Sequence, residues 1–250
     1  MKVNLSTINI NININNAVDM PTAQELHKLC YQVTGNEYIN EEGKPSPFQP
    51  LIKSWEKNEE ETRANIQIKA INRNYTNETI DYLEHNNSIY LKGYNFNLIS
   101  YEVYNNYSID LNETTLLPPT KFKVSLETPI LLSKEQVTDR GVVFNEINKL
   151  EFKTFIESMQ HFIEDYFDYS FNLNNIKNIY LNCNVTEENY KEVESDSSDK
   201  ALQGSFLVDY SNLSIEEQSD LGKLLNLSSY IGVGNKRAYG YGVIGLERVN

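Results

Sequence analysis

Lys121-Phe122-Lys123-Val124-Ser125-Leu126 alternates polar and apolar residues and stops at Thr128-Pro129, which predicts a strand with one buried face. From Leu150 the period changes. Phe152, Phe155, Ile156, Met159, Phe162, Ile163 and Phe167 recur three and four residues apart, predicting an amphipathic helix of about four turns. Two strand-like stretches follow, near 176–185 and 202–210, with an acidic run between them. Ser214-Ile215-Glu216-Glu217 has the Ser-x-x-Glu form of a helix capping box, and Leu221, Leu224 and Leu225 continue a helical stripe. Tyr241 to Val249 is apolar enough for a buried final strand. The order is β-α-β-β-α-β, the ferredoxin-like unit.

The first half repeats this order more faintly: a strand at 2–14, a helix at 22–33, strand-like stretches at 64–71 and 96–104, and a short helix near 77–85. The first helix is signalled by Pro21 before Thr22, whose hydroxyl can cap, with Glu25 three residues on. Leu-Leu-Pro-Pro at 116–119 reads as a hinge. The expected architecture is α+β, with two tandem ferredoxin-like (RRM-like) domains at 1–117 and 120–250.

Composition sets limits on function. The 250 residues carry a formal net charge of −13, which argues against a protein coated in positive potential. The acids are concentrated, however: residues 187–199 hold six carboxylates against one lysine, and 56–62 hold four against one. Both runs read as solvated loops. The alternating start, MKVNLSTINININI, lacks the pattern of a secretion signal, and no apolar run is long enough to span a bilayer, so the expectation is a cytoplasmic protein away from membranes. Cys30 and Cys183 have no second Cys or His at ligand spacing, which predicts core thiols rather than a zinc site or disulfide framework.

The most specific stretch is Gly232-Val233-Gly234-Asn235-Lys236-Arg237-Ala238-Tyr239-Gly240-Tyr241-Gly242, between the last helix and the last strand. Its glycines leave room for a phosphate backbone and permit the positive φ angles that turn amides toward an anion, while Lys236 and Arg237 stand at the tip. Such a cradle gives affinity and position without reading sequence. The alternative is a structural turn packed closely on the sheet. It is neither a Walker A loop nor a dinucleotide fingerprint, since it follows a helix and lacks the Gly-Lys-Ser/Thr ending.

A Gly-x-Gly-x5-Gly-aromatic-Gly loop ahead of the last strand of a tandem ferredoxin-like chain resembles the repeat-associated RNA-binding (RAMP) superfamily, and within it the endoribonucleases that process precursor CRISPR RNA in antiviral defence. Phe122 to Pro129 is similar to the opening of their second domain. Leu26 to Tyr31 is similar to their first helix, and Gly43-Lys44-Pro45-Ser46-Pro47-Phe48 to the Lys-containing loop after it.

The resemblance implies metal-independent, cofactor-free cutting within the repeat by 2′-hydroxyl attack, leaving a 2′,3′-cyclic phosphate and a 5′-hydroxyl. His27 is then the expected general acid or base, Tyr31 its partner or a phosphate donor, and Lys44 the charge stabiliser. His27 and Tyr31, four apart, share one side of the first helix. The loop after the helix offers Tyr38 and no histidine, unlike some relatives. Gly232, Gly234, Asn235, Lys236, Arg237, Gly240 and Gly242 are the expected RNA-binding residues. Precursor CRISPR repeat RNA is the expected partner, with effector-complex subunits or a second copy of the chain as further candidates. Two other readings stay open: a non-cleaving RNA-binding subunit of an effector complex, and, on the acidity, a protein-interaction module.

Overall fold

The computed structural model of the chain describes residues 1–34, 48–71, 73–113, 121–138, 141–146, 150–194, 200–234 and 242–249. It divides into two compact units, one holding Met1–Asp110 and the other beginning at Leu111. The hinge expected at 116–119 lies outside the described residues.

In the first unit, β1 (Lys2–Ile14) is the middle strand of an antiparallel sheet completed by β2 (Phe48–Lys57), β3 (Thr62–Ala70), β4 (Ser88–Leu91) and β5 (Tyr94–Asp110), in the order β2-β3-β1-β5-β4. Its apolar positions change parity: Val3 and Leu5 are buried, then Ile8, Ile10 and Ile12. The register shift in the pairing with β5 between Leu5 and Thr7 puts the extra residue on β5, so β1 keeps its own alternation, and the core cluster takes Ile8, Ile10 and Ile12 but not Val3 and Leu5. On the other side a ladder of amides crosses three strands. Gln67 donates to Asn9 (3.0 Å), Asn65 to Asn11 (2.7 Å) and Asn97 to Asn13 (3.3 Å).

Helices α1 (Ala23–Val33) and α2 (Arg73–His85) cover the apolar side. The Thr22–Glu25 capping box forms as expected, and Leu26, Leu29, Cys30 and Val33 face the core. Strand β2 was not legible in the sequence. Its Pro50 argues against an inner strand, and β2 is an edge strand, where a missing N–H is tolerated.

The second unit pairs β6 (Lys121–Ile130), β9 (Asn184–Glu194), β10 (Lys200–Asp209) and β11 (Ile244–Arg248) in the order β11-β6-β10-β9, all antiparallel. A hairpin of β7 (Ser133–Thr138) and β8 (Gly141–Glu146) is inserted before α3 (Phe152–Phe167). α5 (Ile215–Ile231) begins at the Ser214–Glu217 capping box. Phe206 of β10 meets Phe155 edge-on at 5.3 Å and Phe152 at 6.3 Å, fixing α3 on the sheet. Both units thus carry the β-α-β-β-α-β order, and the tandem ferredoxin-like fold is the observed one.

Three details differ from the sequence reading. The stretch 176–185 is mostly helix: α4 (Leu173–Asn182) is capped by Asn172, whose side chain accepts from Asn174 N (2.9 Å). Ile176 and Ile179, three apart, both reach the core, and Asn175 and Asn178 donate to Asp220 (2.8 Å) and Glu217 (2.6 Å) on α5. The strand is displaced into the acidic run, so Glu192 lies exposed on the edge strand β9, where charge discourages pairing with another chain. β6 also continues through Thr128-Pro129, because the β10 register shifts between Leu202 and Gly204 and asks nothing of the missing proline N–H.

Among the described residues, no helix is long and apolar enough to cross a membrane. Phe206→Ala should cost about 3–5 kcal/mol by opening a cavity beneath α3, read as a lowered unfolding midpoint in denaturant. An unchanged midpoint would show that this aromatic contact does not hold the unit together.

Candidate functional site

Helix α1 brings His27 and Tyr31 together one turn apart. Their rings meet edge-on at 4.8 Å, and Phe48, the first residue of β2, closes over both at 5.6 and 5.3 Å. Tyr75 of α2 backs Phe48 at 6.0 Å. His27 flanks the apolar stripe of α1 and is only 8% exposed. Burial holds its imidazole well below the ordinary range, at about 4, so the ring is neutral at physiological pH. It can accept a proton there; it cannot supply one as an imidazolium. Tyr31 is half-buried, and its phenol is raised by burial and then by the adjacent Cys30 thiol, so it keeps its proton and remains a donor. Lys44 lies outside the described residues.

The other histidines stand apart in chemistry. His85 Nδ1 is 2.8 Å from Asp81 O at the exposed end of α2; that hydrogen bond and then the Asp81 charge raise its pKa. His161 is exposed on α3. Cys30 is fully buried and its thiol strongly raised, whereas Cys183 caps α4 and is pushed up to about 12 by burial, then by Asp209 and Glu217. Neither is an activated nucleophile.

At the glycine loop, Asn235, Lys236, Arg237 and Gly240 lie outside the described residues, while Gly232, Gly234 and Gly242 form its base. Every described amide of this base is committed within the protein. Gly232 N donates to Ser228 O (2.7 Å), Val233 N to Gly242 O (2.8 Å), Gly234 N to Ser158 Oγ (3.1 Å) and Gly242 N to Pro129 O (2.9 Å). Gly234 and Gly242 have φ of 84° and 78°, and a Cβ on them would overlap Leu131 O and Val233 O respectively. These glycines close the two ends of the loop against β6; amides that could face an anion must come from 235–241. Sequence reasoning missed Ser158 and Thr128, whose hydroxyl accepts from Val243 N (2.9 Å). They are distant in sequence from the loop, and no local pattern marks them.

Because His27 binds its proton less tightly folded than unfolded, the unfolded chain carries more protons between about pH 4 and 6.5, and stability rises with pH across that window. His27→Leu should remove roughly 2 kcal/mol of that dependence, after allowance for water still reaching the ring, measured by denaturant unfolding at pH 4.5 and 7.5. An identical pH dependence in the variant would contradict a neutral buried imidazole.

No family profile and no curated protein matches the chain. Solved structures do. A Cas6 product complex superposes with a TM-score of 0.72 at 13% identity, covering 96% of this chain and 98% of that one. A Cas6-related protein from Pyrococcus furiosus gives 0.62 at 11%, covering 98% and 100%. A RAMP protein binding different RNA substrates gives 0.60 at 10%, with the same coverage. Over nearly its whole length, the chain therefore shares the tandem ferredoxin-like fold of the Cas6 structures.

Proposed function

We propose that this chain binds CRISPR repeat RNA and cuts it within the repeat without a metal ion. The observation that carries the reading is the paired His27 and Tyr31 on α1, one a proton acceptor and the other a proton donor at neutral pH, in a chain with the whole-length fold of Cas6 structures. In this reading His27 takes the proton of the ribose 2′-hydroxyl. The 2′-oxygen then attacks the neighbouring phosphorus, the bond to the 5′-oxygen breaks, and Tyr31 gives that oxygen its proton, leaving a 2′,3′-cyclic phosphate and a 5′-hydroxyl. Lys44 stabilises the charge building on the phosphorane, and Lys236 and Arg237 hold phosphates at the glycine loop. The effector-complex partners and self-association expected from the resemblance belong to the same proposal.

The small exposure of His27 favours a second reading, an RNA-binding subunit that leaves the 2′-hydroxyl untouched. Incubation in EDTA with end-labelled repeat RNA, beside a copy carrying a 2′-deoxy nucleotide at the cut, separates the two. The nuclease cuts the first at one position and spares the second; tight binding without a cut selects the subunit.

His27→Ala with Tyr31→Phe should slow cleavage at least about 100-fold while affinity is kept, and unchanged cleavage would overturn their assignment. With its base at about 4, the nuclease should show no rise in rate from pH 6 to 8 attributable to His27. An ascending limb near 6.5 that vanishes in His27→Ala would contradict that. Lys236→Ala with Arg237→Ala should weaken RNA binding and flatten its salt dependence by about 1.4 in slope for two single-strand phosphate contacts; an unchanged slope would remove the loop from the interface.

A further inference from the structure

The glycine loop is not held at its base by its own main chain alone. Val233 and Gly234 form one stem, continuing from the end of α5, and Gly242 and Val243 form the other, running into β11. All four residues are buried, so each of their N–H groups needs a partner. Two of those partners are main-chain oxygens: Val233 N donates to Gly242 O (2.8 Å), joining the stems, and Gly242 N donates to Pro129 O (2.9 Å). The other two are side-chain hydroxyls from remote segments. Gly234 N donates to Ser158 Oγ on α3 (3.1 Å), and Val243 N donates to Thr128 Oγ1 on β6 (2.9 Å).

Each hydroxyl stands where the regular main-chain pattern gives out. β11 pairs with β6 from Ile244, opposite Leu126, and the ladder falters one residue earlier. There Glu127 N still reaches Val243 O (2.9 Å), but the Val243 amide turns to the Thr128 hydroxyl. On the other stem Gly234 has a φ of 84°, and a Cβ on it would collide with Leu131 O. The chain is pressed there against the residue that follows β6, in a conformation that glycine adopts freely, and its N–H meets α3.

Glycine loses more conformational freedom on being fixed than any other residue. RNA meeting a loose glycine loop would have to supply that ordering out of its own binding free energy. Removing either hydroxyl leaves a buried amide unpaired, a cost the neck of the loop escapes by opening to water.

We propose that Ser158 and Thr128 are positioning residues for phosphate binding at the glycine loop: one hydroxyl fixes each stem, so the loop meets RNA with both its ends already set. The proposal rests on the reading of that loop as an RNA contact. Each side chain acts through the amide it holds, not by touching the RNA.

The test joins two measurements: hydrogen exchange of the Gly234 and Val243 amides in the free chain, and fluorescence anisotropy in EDTA with repeat RNA made uncleavable by a 2′-deoxy nucleotide at the cut. Ser158→Ala should speed exchange at Gly234, and Thr128→Val at Val243, each by at least about tenfold. Each should also weaken RNA binding about three- to tenfold, the equilibrium worth of one hydrogen bond, with the salt slope kept because Lys236 and Arg237 remain. Ser158→Thr and Thr128→Ser retain the hydroxyl and should restore both readings. In a Lys236→Ala, Arg237→Ala background the same substitutions should change affinity less than about twofold, since the cations that they position are gone. A hydroxyl that merely stabilised the fold would weaken binding equally in both backgrounds, and that result would overturn the proposal. So would unchanged affinity in Ser158→Ala and Thr128→Val; the RNA reading of the loop then stands if Lys236→Ala with Arg237→Ala still weakens binding. If that double variant binds as the intact chain does, or the intact chain does not bind the repeat, the loop reading and the proposal fall together.

Discussion

Strand β1 can serve a ferredoxin-like sheet only if Ile8, Ile10 and Ile12 reach the core side together, and the unshifted pairing of Ser6 to Ile14 with β3 holds them there. Val3 and Leu5 are out of step with them and stand outside that core cluster, and the register shift beside them lies on β5. The same alternation gives α1 and α2 an apolar floor and sends Asn9, Asn11 and Asn13 to the other face, where their amides bond across three strands. A slip by one residue would exchange isoleucines for asparagines in the core, so the pairing has one register available. The position of His27 and Tyr31 is a product of the same floor, because the stripe of Leu26, Leu29, Cys30 and Val33 seats α1 and leaves the pair at its flank.

Burial then decides the chemistry that this flank can perform. The same ring contacts that orient His27 exclude water and strip its imidazole of basicity, so positioning and proton affinity are coupled through Phe48. An imidazole with a pKa near 4 is neutral at all physiological pH values and only weakly basic, and burial raises the Tyr31 phenol, which keeps its proton there.

The regular elements were legible where period and caps agreed: the alternation of 121–126, the phenylalanine and isoleucine stripe of α3, and the capping boxes at Thr22 and Ser214. Reading failed where tertiary partners outweighed local preference. The asparagines around Ile176 and Ile179 look like strand or loop until Asp220 and Glu217 are brought beside them, and β9 is too charged to read as a strand until it is seen at an edge. That His27 and Tyr31 share one side of α1 was legible from helical spacing. The closure by Phe48 and the use of Gly234 and Gly242 as packing points were not, since Ser158, Pro129 and Leu131 reach them from remote segments.

The pairing of Lys2 with Asp110 and Val3 with Ile109 also has a consequence in time. On the ribosome β1 emerges before both strands that flank it, and the second is not complete until about a hundred more residues have been made. At ordinary elongation rates of about 5–20 residues per second, the isoleucine-rich strand waits on the order of 5–20 seconds for its final neighbour. During that interval it carries the greatest risk of sticking to another nascent chain, and the alternating asparagines, which leave only every second side chain greasy, lower that risk while the wait lasts.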